Sequence, residues 1–431
     1  MSVTTLSSPS SNTRPSQGRV WILGGLLVAL IVAAPLGAIV WIALFPTENI
    51  WPHLASTALP RHSWNTLVLM VGNGFGVFVI GTASAWLVST CDFPGRRLFE
   101  WAMLLPLAVP AYIVAFVYTD IMEFAGPVQG LLRDVFGWQT SRDYWFPEIR
   151  SMGGAIFVMS FVLYPYVYLL TRAAFHEQSS SVLEVSRTLG RGPWKTFLTV
   201  ALPLARPAIV VGIALAMMET LADFGTVDFF AVNTLTVAVF NVWLGMGNAG
   251  GAAQIALVML GFVVLLITLE RIGRKGRRYH HTSSRYQTSP RVRLRGGGMV
   301  AACLVCAVPI VIGFLIPAGV LLRHAILFFD ESWNQAFFAF ARNSLTLSAA
   351  AALVAVAVAV FLAYGRRLSG RGFGALSRIA LLGYAVPGAV LAVGVIIPFA
   401  KIDNAIDAVA RDLFGVSTGL LLSGTIFAMV F

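Results

Sequence analysis

Runs of about eighteen or more residues without a charged side chain recur along the whole chain, and they constrain the fold more than any other feature. With a rise of 1.5 Å per residue, such a run crosses a hydrocarbon core about 30 Å thick as one helix. Uncharged runs lie at Val20–Phe45, Asn65–Cys91, Trp101–Thr119, Met152–Thr171, Ala252–Leu269, Gly296–Leu322, Ser344–Tyr364 and Ile379–Ala400. Another begins near Ser417 and reaches the last residue, and Pro207–Gly225 is interrupted only by Glu219 and Asp223. Phe229–Trp243 is read as lying outside the bilayer. Only 11% of the 431 residues are charged, against roughly 25% in soluble domains. The expected fold class is an all-α polytopic membrane protein.

The net charge of +11 would suggest a nucleic-acid partner in a soluble protein, but here the placement of the charges matters more. With residues 1–19 in the cytoplasm as a disordered tail, the loops alternate across the membrane. The inner segments then hold Arg14 and Arg19, Arg96 and Arg97, five basic residues from Arg172 to Arg206, nine from Arg271 to Arg295, and four from Arg366 to Arg378. That is 22 of the 30 lysines and arginines, and the positive-inside rule fixes the orientation. No nucleic-acid partner is expected. The first apolar run is too long for a signal-peptide core and is read as a retained span. Cys91, Cys303 and Cys306 give no disulfide framework, and no metal site is firmly assigned.

The chain repeats itself. "WNTLVLMVGNGFGVFVIGTASAWL" (64–87) matches "RNSLTLSAAAALVAVAVAVFLAY" (342–364), "LAVPAYIVAF" (107–116) matches "YAVPGAVLAV" (384–393), and "GAIFVMSF" (154–161) matches "GTIFAMVF" (424–431). The matched spans lie an even number apart, so the halves share one orientation, as in a parallel duplication of a six-span unit. The first repeat is expected over 20–271, a basic cytoplasmic linker over 272–296, and the second repeat over 297–431.

One inner loop, "LEVSRTLGRGPWKTFLTVALPLARP" (183–207), mixes polar and apolar residues. Its Lys195-Thr196 pair is not a phosphate loop, because Trp194 stands where the glycine belongs and no strand leads in. The segment 181–203 reads as two short helices. Ser181 and Glu184 form a capping box, with Val182, Val185 and Leu189 on one face and Gly190 at the left-handed stop. Pro193 starts the second helix, and Trp194, Phe197, Leu198 and Ala201 follow a helical repeat.

Glu184, then Gly190, then Val200-x-Leu202-Pro203 resembles the EAA loop of ABC importer permeases, with Val185, Ser186 and Val200 replacing two alanines and an isoleucine. The resemblance implies a type I ABC importer transmembrane fold in a bacterial inner membrane. It implies that the coupling loop carrying Glu184, Gly190, Trp194, Val200, Leu202 and Pro203 docks in the groove of a separate cytoplasmic ABC ATPase, a homodimer, with Gly190 allowing the sharp turn and Glu184 holding the first helix together. ATP and Mg are then bound by that partner, no cofactor by this chain, and the chain is a transport subunit and not an enzyme. The second repeat's counterpart of the loop is expected beyond Phe431.

"ALAMMETLADFGTVDFFAVNTLTVAVFNVWLGMGN" (214–248) resembles the ferric-iron permeases of importers served by a periplasmic binding protein. Glu219 and Asp223 stand i, i+4 at the outer end of a span, where a carboxylate is costly and faces the bundle interior or a water-filled path. Fe³⁺ is a hard cation suited to such oxygen ligands. Related permeases serve thiamine, phosphonate or polyamines. Outside the class, an ion-coupled secondary transporter competes, although clean spans without internal charges do not favour it.

Overall fold

The computed structural model describes residues 15–178, 185, 186, 188–190, 192–274, 291–381, 383 and 386–430. Among them, nine helical segments are long and apolar enough to cross a membrane. They are α1 (Val20–Leu44), α2 (Ala58–Thr90), α3 (Ala111–Phe136), α4 (Met152–Glu177), α5 (Trp194–Ala222), α6 (Ala249–Arg274), α7 (Gly297–Leu327), α8 (Gln335–Leu368) and α9 (Gly388–Phe414). The all-α membrane architecture therefore stands. The only strands among the described residues are β1 (Cys91–Asp92) and β2 (Val292–Arg293), which pair in parallel.

Four boundaries differ from the sequence expectation. The run 101–119 is not one helix: Arg96–Ala102 ends, a 3-10 turn covers Leu105–Ala108, and a new helix starts at Ala111. Pro106 and Pro110 lack amide hydrogens, and Val109, ahead of Pro110, is extended at φ −114°, ψ 121°. The second repeat breaks at the matching place. Pro110 has φ −56°, ψ 141° and Pro387 has φ −59°, ψ 142°, and each caps the helix that follows. The expected loop around Arg366–Arg378 is instead helical, within one helix Gln335–Leu381 that meets no proline before Pro387. The interrupted run at 207–225 is a genuine helix that begins earlier, at Trp194. Near the end of the chain, the described residues hold a five-residue helix, Ile426–Val430, where a span was expected.

The described chain falls into two compact units. In the unit Pro46–Ser332, α2 and α4 run parallel at backbone contact. Glycine makes this possible. A Cβ at Gly72 would strike Ile156, at Gly76 the Ser160 side chain, and at Gly81 the backbone of Tyr164 and Tyr168. Small residues of this kind let helices pack where lipid offers no hydrophobic drive. α5 lies across the pair, with Gly212 against the Val167 backbone. Where the three helices meet, Asn73 Nδ2 donates to Thr220 Oγ1 at 2.5 Å, and Ser160 Oγ donates to Asn73 Oδ1 at 3.2 Å. All three residues are buried. One face of α7 packs on this unit through Ala302, Cys306 and Ile310. In the other unit, α1 packs against α8 and α9, with Trp21 stacked on Phe361 at 4.9 Å and Gly394 against the Pro35 carbonyl.

Gly76→Val is expected to force α2 and α4 apart and to lower the thermal midpoint of the detergent-purified chain by several degrees, since overpacking costs about 1–3 kcal/mol. Gly261→Val on α6, where nothing lies within 4 Å, is the control and should leave the midpoint in place.

Candidate functional site

The C-terminal end of α4 leads to the loop 181–203, called the elbow below. Glu184, Ser181 and Val182 lie outside the described residues. Beyond them, the Leu189 amide donates to the Val185 carbonyl at 3.1 Å, and Gly190 stops the turn at φ +77°. That left-handed conformation disfavours side chains with a Cβ, although the space around it is open. The chain restarts where the Thr196 amide donates to the Gly192 carbonyl at 3.0 Å. Pro193–Thr196 is α-helical, Phe197–Ala201 is a π turn, and Leu202 resumes the α-helix without a break. The second arm is therefore the start of α5 itself, not a separate helix.

Two polar ties hold the arms. Ser186 Oγ and Thr196 Oγ1 lie 3.0 Å apart and buried, and Gln178 Nε2 donates to the Ala201 carbonyl at 2.9 Å. The expected apolar face divides. Phe197 and Ala201 turn inward, where Phe197 meets Trp86 at 5.0 Å and Trp86 meets Phe175 at 5.3 Å. Trp194 and Leu198, one turn apart, face outward with Val185 and Leu189; Trp194 is 75% and Leu189 74% exposed. Val200, Leu202 and Pro203 are half-buried. The elbow thus presents four bare apolar side chains on a base fixed to α2 and α4.

Close to that base is a charge cluster that sequence reasoning missed. Glu100 accepts from Arg96 Nη1 at 3.4 Å and pairs with Arg172 Nη2 through its other oxygen. Arg96 also donates to the Val88 carbonyl at 3.2 Å, and Tyr168 OH donates to the Glu100 carbonyl at 3.0 Å. The three charged side chains are each no more than 20% exposed. The i, i+4 spacing of Arg96 and Glu100 was the available signal; nothing in the sequence pointed to Arg172 as the third member. The cluster joins α2, α4 and the 96–102 helix ahead of the proline break.

At the C-terminal end of α5, the two carboxylates have different surroundings. Asp223 accepts from the Thr226 amide at 2.8 Å, Thr226 Oγ1 at 3.0 Å and the Val227 amide at 3.4 Å, capping the helix Gly225–Phe229. Glu219 is half-buried, and its side chain makes no hydrogen bond or ion pair among the described residues. It neighbours Thr220 of the Asn73 triad. The segment placed outside the bilayer by sequence is instead packed into this unit: Phe230, Val232, Leu235, Val239 and Val242 are buried. Its apolar helix, Leu235–Gly245, is shorter than the nine segments long enough to cross a membrane among the described residues. Asn65 Nδ2 donates to the Asn233 carbonyl and Thr66 Oγ1 accepts the Leu235 amide, both at 2.9 Å, so the segment's polar backbone is satisfied. Other acids also have partners: Glu123 pairs with Arg150 at 2.5 Å, Asp120 lies 3.6 Å from His324, Asp407 accepts the amides of Thr418 and Gly419, and Asp403 accepts those of Leu421, Leu422 and Ser423. Among the described residues, no three His, Cys, Asp or Glu side chains converge to hold a metal ion.

Glu100→Gln would leave two arginines facing each other without their shared carboxylate. Breaking a buried pair in this way costs about 3–5 kcal/mol. A clear fall in thermal midpoint is expected, with Glu100→Asp closer to the unmodified chain; equal midpoints for all three would show that the cluster contributes nothing.

Residues 78–279, which contain the charge cluster, the elbow and the returning outer segment, match the model of the binding-protein-dependent transport system inner membrane component. The chain is 29% identical over 221 residues to the molybdenum transport system permease protein ModB of Escherichia coli (strain K12), covering 49% of this chain and 91% of that protein. It is 28% identical over 218 residues to the Fe(3+)-transport system permease protein FbpB 2 of Haemophilus influenzae, covering 51% of this chain and 38% of that protein. It is also 28% identical over 278 residues to the putative 2-aminoethylphosphonate transport system permease protein PhnU of Salmonella choleraesuis, covering 62% and 95%. With its multi-pass all-α architecture, the chain carries over residues 78–279 the domain of the inner-membrane components of binding-protein-dependent transport systems, and the relatives it resembles are transport-system permeases.

Proposed function

We propose that the chain is the membrane subunit of an ATP-driven importer in which the elbow docks on a separate cytoplasmic ATPase and a periplasmic binding protein delivers the cargo. The observation that carries this reading is the elbow's form: Val185, Leu189, Trp194 and Leu198 are bare on a support tied by Ser186–Thr196 and Gln178–Ala201. A rigid apolar anchor beside a helix that runs unbroken to the outer carboxylates suits transmission of a partner's closure. Glu184, Gly190, Val200, Leu202 and Pro203 shape the elbow in this reading, and the N-terminus is cytoplasmic.

The cargo we favour is ferric iron. It is supported by the likeness of 214–248 to iron permeases, by the Fe(3+) relative, and by Glu219, which has no partner among the described residues. Asp223 serves the path by shaping its outer turn, since its oxygens are engaged by amides. A second reading, an oxyanion or phosphonate cargo, is favoured by the molybdenum and phosphonate relatives, which align over 91% and 95% of their lengths.

Trp194→Ala is expected to weaken ATPase-subunit binding by roughly tenfold or more, as interface tryptophans do, while the thermal midpoint of the chain alone stays unchanged. Gly190→Val should retain membrane insertion and lose transport. The cargo is tested in liposomes holding the complete transporter, with binding proteins loaded with Fe³⁺, molybdate or 2-aminoethylphosphonate. ATP hydrolysis stimulated only by the iron-loaded protein supports iron. Stimulation by an oxyanion-loaded protein replaces it, and transport that persists without any ATPase overturns the importer reading.

A further inference from the structure

The strand β2 and the first turns of α7 combine a row of cations with a lipid-facing stripe, and neither is used by the elbow or by the outer segment. "RVRLR" (291–295) alternates strictly, and in an extended strand alternate side chains share one face, about 6.6 Å apart. β2 pairs with β1 in register, Cys91 with Val292 and Asp92 with Arg293, and the Leu294 amide donates to the Asp92 carbonyl at 3.0 Å. Leu294 packs on the hydrophobic core, while Arg291, Arg293 and Arg295 are exposed. None of the three makes an ion pair among the described residues; Asp92, opposite Arg293, is the acid nearest in register.

A cavity of about 460 Å³ opens beside them, lined by Asp92, Phe93, Pro94, Arg293, Arg295 and Met299. α7 starts two residues after Arg295. Its inward face carries Ala302, Cys306 and Ile310, and its opposite face leaves Val300, Leu304 and Val308 exposed at i, i+4, i+8. Val311 and Leu315 extend that stripe. The neighbouring 96–102 helix exposes Leu98 and Trp101, with Trp101 a residue type that settles at the headgroup level.

We propose that Arg291, Arg293 and Arg295 form a headgroup site for an anionic phospholipid of the inner leaflet, whose acyl chains lie along Val300, Leu304 and Val308. The assignment rests on the cytoplasmic orientation of this end of α7. Charge complementarity selects the anionic headgroup, and the continuous apolar stripe selects a lipid over a soluble anion. β2 pairing fixes the backbone at Val292 and Arg293 before binding, so little backbone freedom is lost there when the headgroup arrives. Juxtamembrane basic residues attract anionic lipid by about 1 kcal/mol each, so each arginine accounts for about a fivefold change in affinity.

The test titrates the full chain, purified in neutral detergent, with phosphatidylglycerol, phosphatidylcholine or inorganic phosphate, reading lipid retention by native mass spectrometry and the thermal midpoint. Phosphatidylglycerol should be retained and raise the midpoint, whereas phosphatidylcholine and phosphate should not. The triple variant Arg291→Gln, Arg293→Gln, Arg295→Gln should lose retention at an unchanged midpoint in phosphatidylcholine. The triple lysine variant should keep retention, and Asp92→Asn should strengthen it. Undiminished phosphatidylglycerol retention by the glutamine variant overturns the site. Phosphate acting as well as the lipid reassigns the arginines to a soluble anion. A glutamine variant that keeps its lipid but no longer holds an ATPase subunit reassigns them to a protein contact.

Discussion

The parallel contact between α2 and α4 is the interaction on which the rest of the 46–332 unit depends. Lipid tails are as apolar as leucine, so two membrane helices gain from meeting only if their surfaces fit closely. Gly72, Gly76 and Gly81 remove the side chains that would keep the backbones apart. That closeness brings Asn73 within reach of Ser160, and α5 completes the triad with Thr220. At the C-terminal ends of the same helices, Trp86 and Phe175 form the seat for Phe197, and Arg172 reaches Glu100. The base of the elbow is therefore built from residues placed by a glycine contact deep in the apolar layer.

Apart from the Asn73–Ser160–Thr220 triad, polar chemistry in the 46–332 unit gathers at the two ends of its helices. The end that holds the last turn of α4 carries the Arg96–Glu100–Arg172 cluster, the β1–β2 pair and the elbow. The C-terminal end of α5 carries Asp223 on its amides and the segment 225–248. Ala231 in that segment adopts φ 54°, the only non-glycine residue with positive φ among those described. The conformation is costly for a residue with a Cβ, and it is held by the Ala231 amide on the Asp228 carbonyl and the Val232 amide on the Val227 carbonyl.

Much of this was legible in the sequence, because long apolar runs, proline breaks and Gly190 act locally. The break at Pro110 and its twin at Pro387 came with matching sequence, and their nearly equal dihedrals express the same local chemistry. The burial of Phe230, Val232, Leu235, Val239 and Val242 was hidden in the sequence, because periodicity does not reveal packing against neighbours. The split of the elbow's apolar face was also hidden: Trp194 and Phe197 look alike in a helical repeat, and only Trp86 distinguishes them. Asp223 looked like a ligand because an isolated carboxylate in an apolar run carries no mark of the amides it will cap.

The π turn at Phe197–Ala201 has a consequence for how elbow and span are aligned. A π turn accommodates one residue more than the α-helix around it, and each residue of an α-helix advances the azimuth by about 100°. The direction in which Trp194 and Leu198 point, relative to Thr220 and Glu219 further along the same helix, is thus an angular phase set by a single surplus residue. Deleting that one residue would turn Trp194 by about 100° around the helix axis relative to Thr220 and Glu219.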